Sequence, residues 1–350
     1  MNRLIRKVSD LLAQGTPLVL VSIVAHAGST PRSSGAKMAV QRDGSLHGTV
    51  GGGLVEAMAC RKAVDLFSRT LDAALLLDVD LSNDDAAMTD MICGGKLTLL
   101  LERIEPGREA AVALAELDRL LRAGRSAVML SVLEGHSGLR ATQHALLAVD
   151  EAAEGVAQLS AGHAALLRDQ ALAKGAAGVY ELDGLRIAAE PFVPPAPLLL
   201  FGAGHVSQAT ARIGAMAGFR TVVLDDRAEF ANASRFPDVD QIVVLDSLDN
   251  ALVGQEVGEN AFLVIMTRGH VHDKTVLAQA LRTPARYVGM IGSRKKREAV
   301  YASLRKEGVA DAAIARCHCP IGLEIGAQSP EEIAVSILAE LIAVRAGGRQ

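Results

Sequence analysis

Residues 198–226 read LLLFGAGHVSQATARIGAMAGFRTVVLDD. An apolar run leads into a Gly-x-Gly turn, helix-compatible residues follow, and a second apolar run ends at two acids. This order of strand, glycine turn, helix, strand and acid is typical of a doubly wound sheet, which places a phosphate at the helix N-terminus and a ribose beside the acid. Ser207 stands at the third glycine position. The stretch therefore predicts the fold but leaves open whether it serves a dehydrogenase.

The rest of the second half continues the alternation of strand and helix. Such alternation indicates a parallel sheet with helices on both faces. A last helix should begin at Ser329, where Pro330 and Glu332 complete a capping box. We predict a Rossmann-like doubly wound parallel sheet over residues 198–350, with strands at 198–201, 221–224, 241–245, 261–266 and 287–291 and helices at 205–217, 273–281, 293–306 and from 329 onward.

A proline-rich segment, EPFVPPAP at residues 190–197, separates this half from the first. Four prolines in eight residues exclude a helix or a central strand, so we predict a stiff linker over 191–197. Residues 1–190 form the predicted N-terminal domain. It is less regular and reads as mixed α/β, with an amphipathic helix over 1–15, a strand over 19–24 and hairpin arms at 37–41 and 45–49.

Composition argues against several classes of function. The chain has 350 residues, a net charge of −4 and no tryptophan, which disfavours a nucleic-acid or anionic-membrane partner. The N-terminus lacks the apolar core of a signal peptide, and the apolar run 18–25 is too short to span a bilayer. The four cysteines do not suggest an extracellular disulfide framework. We therefore expect a cytoplasmic protein.

Two loops of the first half have the composition of anion sites. GSTPRSSG, residues 28–35, combines hydroxyls with Arg32. In TVGGG, residues 49–53, three glycines run directly into a predicted helix whose first turn carries Glu56. Free N–H groups and the positive helix end would bind phosphate or carboxylate there, and Glu56 could orient a polar ligand. The alternative is that these glycines only make tight turns.

A third loop presents a cysteine. Cys93 is followed by Gly94 and Gly95, and open backbone around a thiol suits a bulky cofactor or a soft metal. The alternative is an ordinary buried cysteine at a strand entry.

In the second half, the candidate ligand residues follow predicted strands. Open α/β sheets bind ligands at the carboxyl ends of their strands. A zinc site is disfavoured because no two candidate ligands have the sequence spacing that is typical of zinc sites, and Cys317-His318-Cys319 lacks a second cysteine pair. His270, His272 and Asp273, with His205 across the crevice, are candidates for proton transfer or for binding a metal. The full set of candidates for cofactor binding is Gly202, Gly204, His205, Asp225, Asp226, Arg268, His270, Gly292 and Ser293.

Taken in order, these motifs resemble the xanthine dehydrogenase accessory protein family, XdhC/CoxI, over nearly the whole chain. The first-half motifs are GSTPR (28–32), GTVGGG (48–53) and CGG (93–95). The second-half motifs are GAGH (202–205), DDR (225–227), TRGH (267–270) and GSRK (292–295). The most specific is the tail PIGLEIG at 320–326, continued by SPEEIA at 329–334; Cys317-His318-Cys319 does not belong to this pattern.

The resemblance implies a chaperone that is not a turnover enzyme. It would bind molybdenum cofactor (molybdopterin), hold it for sulfuration and insert it into a molybdenum hydroxylase such as xanthine dehydrogenase. A cysteine desulfurase partner and a homodimer are further expectations. Cys93 is the predicted metal ligand, and the cofactor-binding set is Arg32, Gly51, Gly52, Gly53, Glu56, Cys93, Gly94, Gly95 and the nine second-half candidates above. The alternative is an NAD(P)-dependent oxidoreductase, or a nucleotide-binding module, using the Gly202 turn.

Overall fold

The computed structural model describes residues 2–30, 32, 34–69, 74–81, 95–133, 143–152, 159–182 and 184–347. The chain divides into two compact units, Met1–Pro194 and Pro195–Gln350. Each unit is a layered α/β structure with its own core.

The first unit is mixed α/β. Its strands are β1 (Leu18–Ala27), β2 (Lys37–Gln41), β3 (Leu46–Gly48), β4 (Ala74–Asp80), β5 (Lys96–Ile104), β6 (Ala127–Leu133), β7 (Gln143–Ala148), β8 (Gly178–Leu182) and β9 (Leu185–Phe192). Its helices are α1 (Asn2–Ala13), α2 (Gly53–Leu66), α3 (Glu109–Arg122) and α4 (Ala161–Lys174). The sequence prediction missed α4, β8 and β9.

The strands of the first unit form two antiparallel sheets, in the orders β3-β2-β1-β5-β4 and β7-β6-β9-β8. Residues 18–24 of β1 are all buried, and all of them except Ser22 are apolar, as expected for a strand that is covered on both faces. Val19, Val21 and Ile23 pack with α2, whereas Leu18 and Leu20 pack with α1 and α3. Helix α4 covers the second sheet.

The second unit is a doubly wound parallel sheet. Its strands, in the order β12-β11-β10-β13-β14-β15, are β10 (Pro197–Phe201), β11 (Arg220–Asp225), β12 (Gln241–Val244), β13 (Phe262–Ile265), β14 (Tyr287–Met290) and β15 (Cys317–His318). All five strand pairings are parallel. The order reverses between β10 and β13, which is the switch point where such sheets bind ligands.

Helices cover both faces of this sheet. They are α5 (His205–Met216), α6 (His270–Ala280), α7 (Arg294–Lys306), α8 (Asp311–Ile314) and α9 (Pro330–Arg345), with a short 3-10 helix at Leu248–Asn250. Helices α5 and α9 pack with Leu198 and Leu200, and α6 and α7 pack with Leu199 and Phe201. The Rossmann-like prediction for the second half is confirmed. Helix α9 begins with the expected capping box of Ser329 and Glu332.

One part of the linker prediction is wrong, because Pro191 and Phe192 belong to β9. Pro191 pairs with Val128 of β6, but β8 pairs only with Leu185–Ala189 of β9 and does not reach Pro191. Here β9 has a described neighbour on one side alone, and a strand tolerates proline in such an edge position. Pro197 is likewise the first residue of β10. The irregular segment is therefore shorter than the predicted 191–197.

Candidate functional site

The carboxyl edge of the second sheet, meaning the loops that follow β10, β11, β13 and β14, gathers the second-half candidates. Gly202, Gly204 and His205 follow β10, Asp225 is the last residue of β11, and Asp226 follows it. Arg268 and His270 follow β13, and Gly292 and Ser293 follow β14. Because parallel strands end at one edge, the fold brings together residues that the sequence separates by up to 91 positions, from Gly202 to Ser293.

Gly202 is required by the backbone around it. Its φ is +112°, and a Cβ there would lie 2.4 Å from the carbonyl oxygen of Met266. The Gly202 N–H donates to the Leu224 carbonyl (2.8 Å), and the Met266 N–H donates to the Phe201 carbonyl (2.9 Å). The turn therefore lies tightly between the ends of β11 and β13, and a side chain at 202 would force them apart.

Asp225 holds this turn in place. Its buried carboxylate accepts a hydrogen bond from the Ala203 N–H (2.7 Å) and is bound by the Nε and Nη2 atoms of Arg227 (each 2.9 Å). Arg227 in turn lies 3.9 Å from the ring centroid of Phe230. Both carboxylate oxygens are engaged, so Asp225 acts on the turn, whereas the dinucleotide pattern would assign this acid to a ribose.

A second buried aspartate orders the loop after β13. Asp273, with 0% exposure, accepts from the N–H of Thr267 (3.0 Å) and from its hydroxyl (2.7 Å). Its other oxygen forms an ion pair with Lys296, whose ammonium also donates to the Ile291 carbonyl (3.0 Å). Asp273 was predicted as a candidate for proton transfer or metal binding, and here its carboxylate orders the loop instead, with Lys296 as a partner that the sequence did not indicate.

Asp226 and Arg268 form a bidentate ion pair above the edge. The Nη2 atom of Arg268 lies 2.8 Å from Oδ2 of Asp226, and Nη1 contacts Oδ1. Hydrogen bonding and charge from Arg268 lower the pKa of Asp226 to about 2. The carboxylate is therefore ionised throughout the physiological range, and the pair joins the loops after β11 and β13.

Two helices begin at this edge without a side-chain cap. The N-cap residues of α5 and α6 are Gly204 and Gly269, and an added Cβ at either would meet no atom within 4 Å. In contrast, Ser293 caps α7 by accepting from the N–H of Lys296 (3.2 Å). His205 and His270, the first residues of α5 and α6, are exposed. Helix N-termini of this kind bind phosphate or carboxylate groups.

Ser207 stands at the third position of the glycine fingerprint, and the glycine that allows close packing lies further along α5. Ser207 is fully buried and its hydroxyl has no hydrogen-bond partner. The close approach of helix and sheet occurs at Gly214, where a Cβ would lie 2.8 Å from Leu198 and 3.3 Å from Thr221. Glycine is thus used for packing, but two turns later than the fingerprint predicts.

In the first unit, the described residues of three predicted loops lie at one edge of the five-stranded sheet. Ala27, at the end of β1, pairs with Lys96, at the start of β5. Lys37 begins β2, and the Thr49 N–H donates to its carbonyl (3.1 Å). A Cβ at Gly95 would lie 2.6 Å from the Ser29 carbonyl oxygen. The loops 28–36 and 49–53 and Gly95 therefore share this edge.

The loop 49–53 differs from its prediction, because its own acid occupies the helix N-terminus. A carboxylate oxygen of Glu56 accepts from the Thr49 hydroxyl (2.6 Å) and from the Gly52 N–H (3.2 Å). The Gly51 N–H donates to the Thr49 hydroxyl (3.1 Å). Two of the N–H groups expected to be free are thus satisfied within the loop. Gly51, Gly52 and Gly53 all have positive φ, as tight turning requires.

The remaining first-half candidates have different outcomes. Arg32 is exposed, and its carbonyl accepts from the Thr30 hydroxyl (2.9 Å). Cys93 and Gly94 lie outside the described residues, so their role and the metal prediction for Cys93 remain predictions. Within the described ranges, no three His, Cys, Asp or Glu side chains are placed to hold a metal ion together.

Sequence reasoning missed a buried polar network between the two sheets of the first unit. The Lys37 ammonium lies 2.6 Å from Glu190 and 2.7 Å from the Ser22 hydroxyl. Nε2 of His144 lies 2.6 Å from Glu102. Burial alone would lower the pKa of His144, but the charge and hydrogen bond of Glu102 raise it. These groups line a cavity of about 40 Å³, room for a few waters.

The tail motif 320–326 is attached to α9. Its Gly322 N–H donates to the buried Glu340 carboxylate, and the Ser336 hydroxyl donates to the Leu323 carbonyl (2.5 Å). Just before the tail, burial raises the pKa of Cys317 to about 12 and that of Cys319 to about 11. Both thiols are therefore protonated near neutral pH, which does not favour a nucleophile or metal ligand.

Together, the fold and the site define a two-unit α/β protein whose second unit is of the Rossmann class. A search of protein-family models matches the XdhC Rossmann domain to residues 198–341, and the XdhC and CoxI family to residues 11–77. The chain belongs to the XdhC and CoxI family. The described helices include none with the length and apolarity needed to cross a membrane.

Relatives match almost the full chain. "Uncharacterized protein YqeB" of Escherichia coli is 27% identical over 96% of this chain, which spans 45% of that longer protein. A protein of Bacillus subtilis that is named as a probable xanthine dehydrogenase subunit is 25% identical over 96% of this chain and 95% of its own. "Molybdenum cofactor insertion chaperone PaoD" of E. coli is 25% identical over 98% and 88%.

A solved structure shares the fold. A crystal structure described as a xanthine dehydrogenase from Bacillus halodurans superposes with a TM-score of 0.80 and 26% identity, covering 99% of this chain and 96% of that one. The shared fold extends over the residues of both units.

Proposed function

We propose that the protein is a molybdenum cofactor chaperone. It holds the cofactor for sulfuration and inserts it into xanthine dehydrogenase or a related molybdenum hydroxylase. The observation that carries this proposal is the carboxyl edge of the second sheet, where α5 and α6 begin uncapped at Gly204 and Gly269 beside Arg268. Similarity to a relative named as a cofactor insertion chaperone, over 98% of the chain, supports the assignment of the ligand.

The residues at this edge suit the phosphate of molybdopterin. Free N–H groups of a helix N-terminus bind a phosphate without a basic side chain, and backbone can approach closely where no Cβ is present. Gly204 and His205 would bind the phosphate at α5, and Arg268 would supply a cationic fork. The edge would then select for the charged end of the cofactor.

Cys93 is the proposed ligand of the molybdenum, and Arg32, Glu56, Gly94 and Gly95 belong to the same predicted cofactor-binding set. The resemblance to the family is the support for this assignment. If it is correct, Cys93→Ala loses molybdenum during anaerobic gel filtration while its circular dichroism spectrum stays unchanged. Cys60→Ala is the matched control, since Cys60 lies partly buried on α2 and has no proposed role. Equal molybdenum retention in both variants would remove Cys93 from the site.

Equilibrium dialysis under anaerobic conditions tests the function directly. We expect the full chain to bind about one cofactor with a Kd in the micromolar range or below, as a carrier requires. It should also restore activity to a cofactor-free xanthine dehydrogenase. No measurable affinity for the cofactor would contradict the proposal. Titration with NADH and NADPH is the matched comparison, because tight binding with turnover would favour the oxidoreductase alternative instead.

Three further elements belong to the same proposal. A cysteine desulfurase would supply the sulfur, the chain would act as a homodimer, and it would work in the cytoplasm. Light scattering of the purified protein checks the dimer, and co-purification with a desulfurase checks the sulfur source. A monomer under all conditions would contradict the oligomer without affecting cofactor binding.

A further inference from the structure

The Asp226–Arg268 pair crosses the position where a ligand would lie. Strands β11 and β13 both neighbour β10, so at the usual strand spacing they are about 10 Å apart. Asp226 follows β11 and Arg268 follows β13, and the strand between them ends in the Gly202 turn. A contact between these two side chains must therefore pass over the end of β10, in front of the N-terminus of α5.

The two neighbouring ion pairs each contain a buried aspartate, whereas both side chains of the Asp226–Arg268 pair reach solvent. Asp225 and Arg227 bind each other at the turn, with carboxylate and guanidinium side chains 3% and 25% exposed. Asp273 and Lys296 form an ion pair at the loop that follows β13, with side chains 0% and 25% exposed. The side chains of Arg268 and Asp226 are 36% and 17% exposed, and ion pairs that solvent reaches contribute little energy. Among the described pairs at this edge, Asp226–Arg268 is thus the one that an incoming anion can break cheaply.

We propose that Asp226 and Arg268 form a latch, in which a phosphate entering at the N-terminus of α5 replaces Asp226 on Arg268. The guanidinium keeps two parallel hydrogen bonds in both states, because carboxylate and phosphate oxygens match the same fork. In the empty site the carboxylate of Asp226 neutralises the charge of Arg268. An anion replaces Asp226 only if it binds Arg268 more strongly than this carboxylate does. This inference rests on the proposed function, since it names the residue that receives the charged group of the cargo.

The test is a double-mutant cycle in the full chain, with inorganic pyrophosphate as probe and binding measured by calorimetry. Asp226→Asn keeps the shape but removes the competing charge, so its pyrophosphate affinity should rise about five-fold. Arg268→Met should weaken binding about ten-fold. In the Arg268→Met background, Asp226→Asn should give no gain, because the gain requires the freed guanidinium.

Asp311→Asn is the matched control, since it breaks the exposed Arg305–Asp311 pair (2.7 Å) of the same unit and should leave affinity unchanged. An unchanged or weaker affinity in Asp226→Asn overturns the latch, as does an equal gain without Arg268 or a lack of pyrophosphate binding by both the wild type and Asp226→Asn. Repeating the cycle with molybdenum cofactor separates the two proposals. Cofactor binding without the variant pattern contradicts the latch alone, whereas the pyrophosphate pattern without cofactor binding contradicts the proposed function alone.

Discussion

The loop 49–53 and the turn 202–204 are both rich in glycine, but they differ in whether a side chain of the protein binds at the N-terminus of the helix that follows. Each is rich in glycine and runs into a helix N-terminus. In the first, the Glu56 carboxylate binds the Thr49 hydroxyl and the Gly52 N–H, so an internal anion already occupies the site. In the second, no side chain caps α5 at Gly204. A glycine motif thus determines the backbone, and the first helical turn decides whether an external anion can bind.

The largest expected effect separates the two glycines of the second turn. Gly202→Ala should lower the free energy of unfolding by about 3 kcal/mol or more, since its Cβ meets the Met266 carbonyl and its φ is +112°. Gly204 has a φ of −76°, and an added Cβ would meet no atom within 4 Å, so Gly204→Ala should change the free energy of unfolding by about 1 kcal/mol at most. Urea denaturation measures both. Equal losses would show that Gly204 is also held by packing.

The next effect concerns the displaced packing glycine. Gly214→Ala should cost about 2 kcal/mol, because its Cβ overlaps Leu198 in a filled interface. Ser207→Ala should be neutral or stabilising, since it removes a buried hydroxyl that lacks a partner. Thermal melting of the two variants checks this order. A larger loss of stability in Ser207→Ala than in Gly214→Ala would show that position 207 determines how closely α5 packs on the sheet.

Glu56 offers the most direct way to convert one glycine loop into the other. Glu56→Ala leaves the Gly52 N–H without its acceptor and should cost about 1–2 kcal/mol. The same change should give the loop a weak affinity for phosphate, detectable by NMR shifts of the Gly51–Gly53 amides. Glu56→Gln keeps an acceptor oxygen and should cost less. A lack of phosphate binding in Glu56→Ala would mean that more than the carboxylate distinguishes the two sites.

The smallest effect is a pH dependence at the open turn. Arg268 lowers the pKa of Asp226 to about 2, below the value of about 4 in an unfolded chain. The pair therefore stabilises the fold fully above pH ~4 and loses its contribution as pH falls toward 2. Because Arg268 is exposed and solvent screens the pair, the contribution should be below about 1 kcal/mol. The stability difference between wild type and Asp226→Asn should be constant from pH 8 to about 5 and then shrink; a difference that persists at pH 2 would contradict this.

The sequence predicted the second unit more completely than the first. Its strands are short apolar runs closed by glycines and acids, and parallel order follows from the alternation alone. The carboxyl edge followed from the same rule, so Gly202 and Arg268 could be placed together without a structure. In the first unit, α4, β8 and β9 were missed; the end of β9 was assigned to the linker because Pro191 was taken as incompatible with a central strand, although it pairs with a neighbour on one side only.

Side-chain partnerships could not be predicted in the same way. Nothing in the spacing shows that Asp225 binds the Ala203 N–H whereas Asp226 binds Arg268, since adjacent residues of a strand end point in different directions. The same holds for Glu56, which was expected to face a ligand and instead faces Gly52. Whether a charged group is free depends on partners far away in the sequence, and these appear only in three dimensions.

The ion pair between Lys37 and Glu190 has a consequence for synthesis of the chain. The two residues are 153 positions apart, and the Lys37 side chain is 4% exposed. A ribosome that has released β1 and β2 has not yet made the carboxylate that neutralises this lysine. Burying an ammonium without its partner is strongly unfavourable, so the inner layer must stay open until β9 emerges. A fragment that ends before Glu190 should therefore be less stable than the complete first unit, because the buried Lys37 ammonium would lack its carboxylate partner.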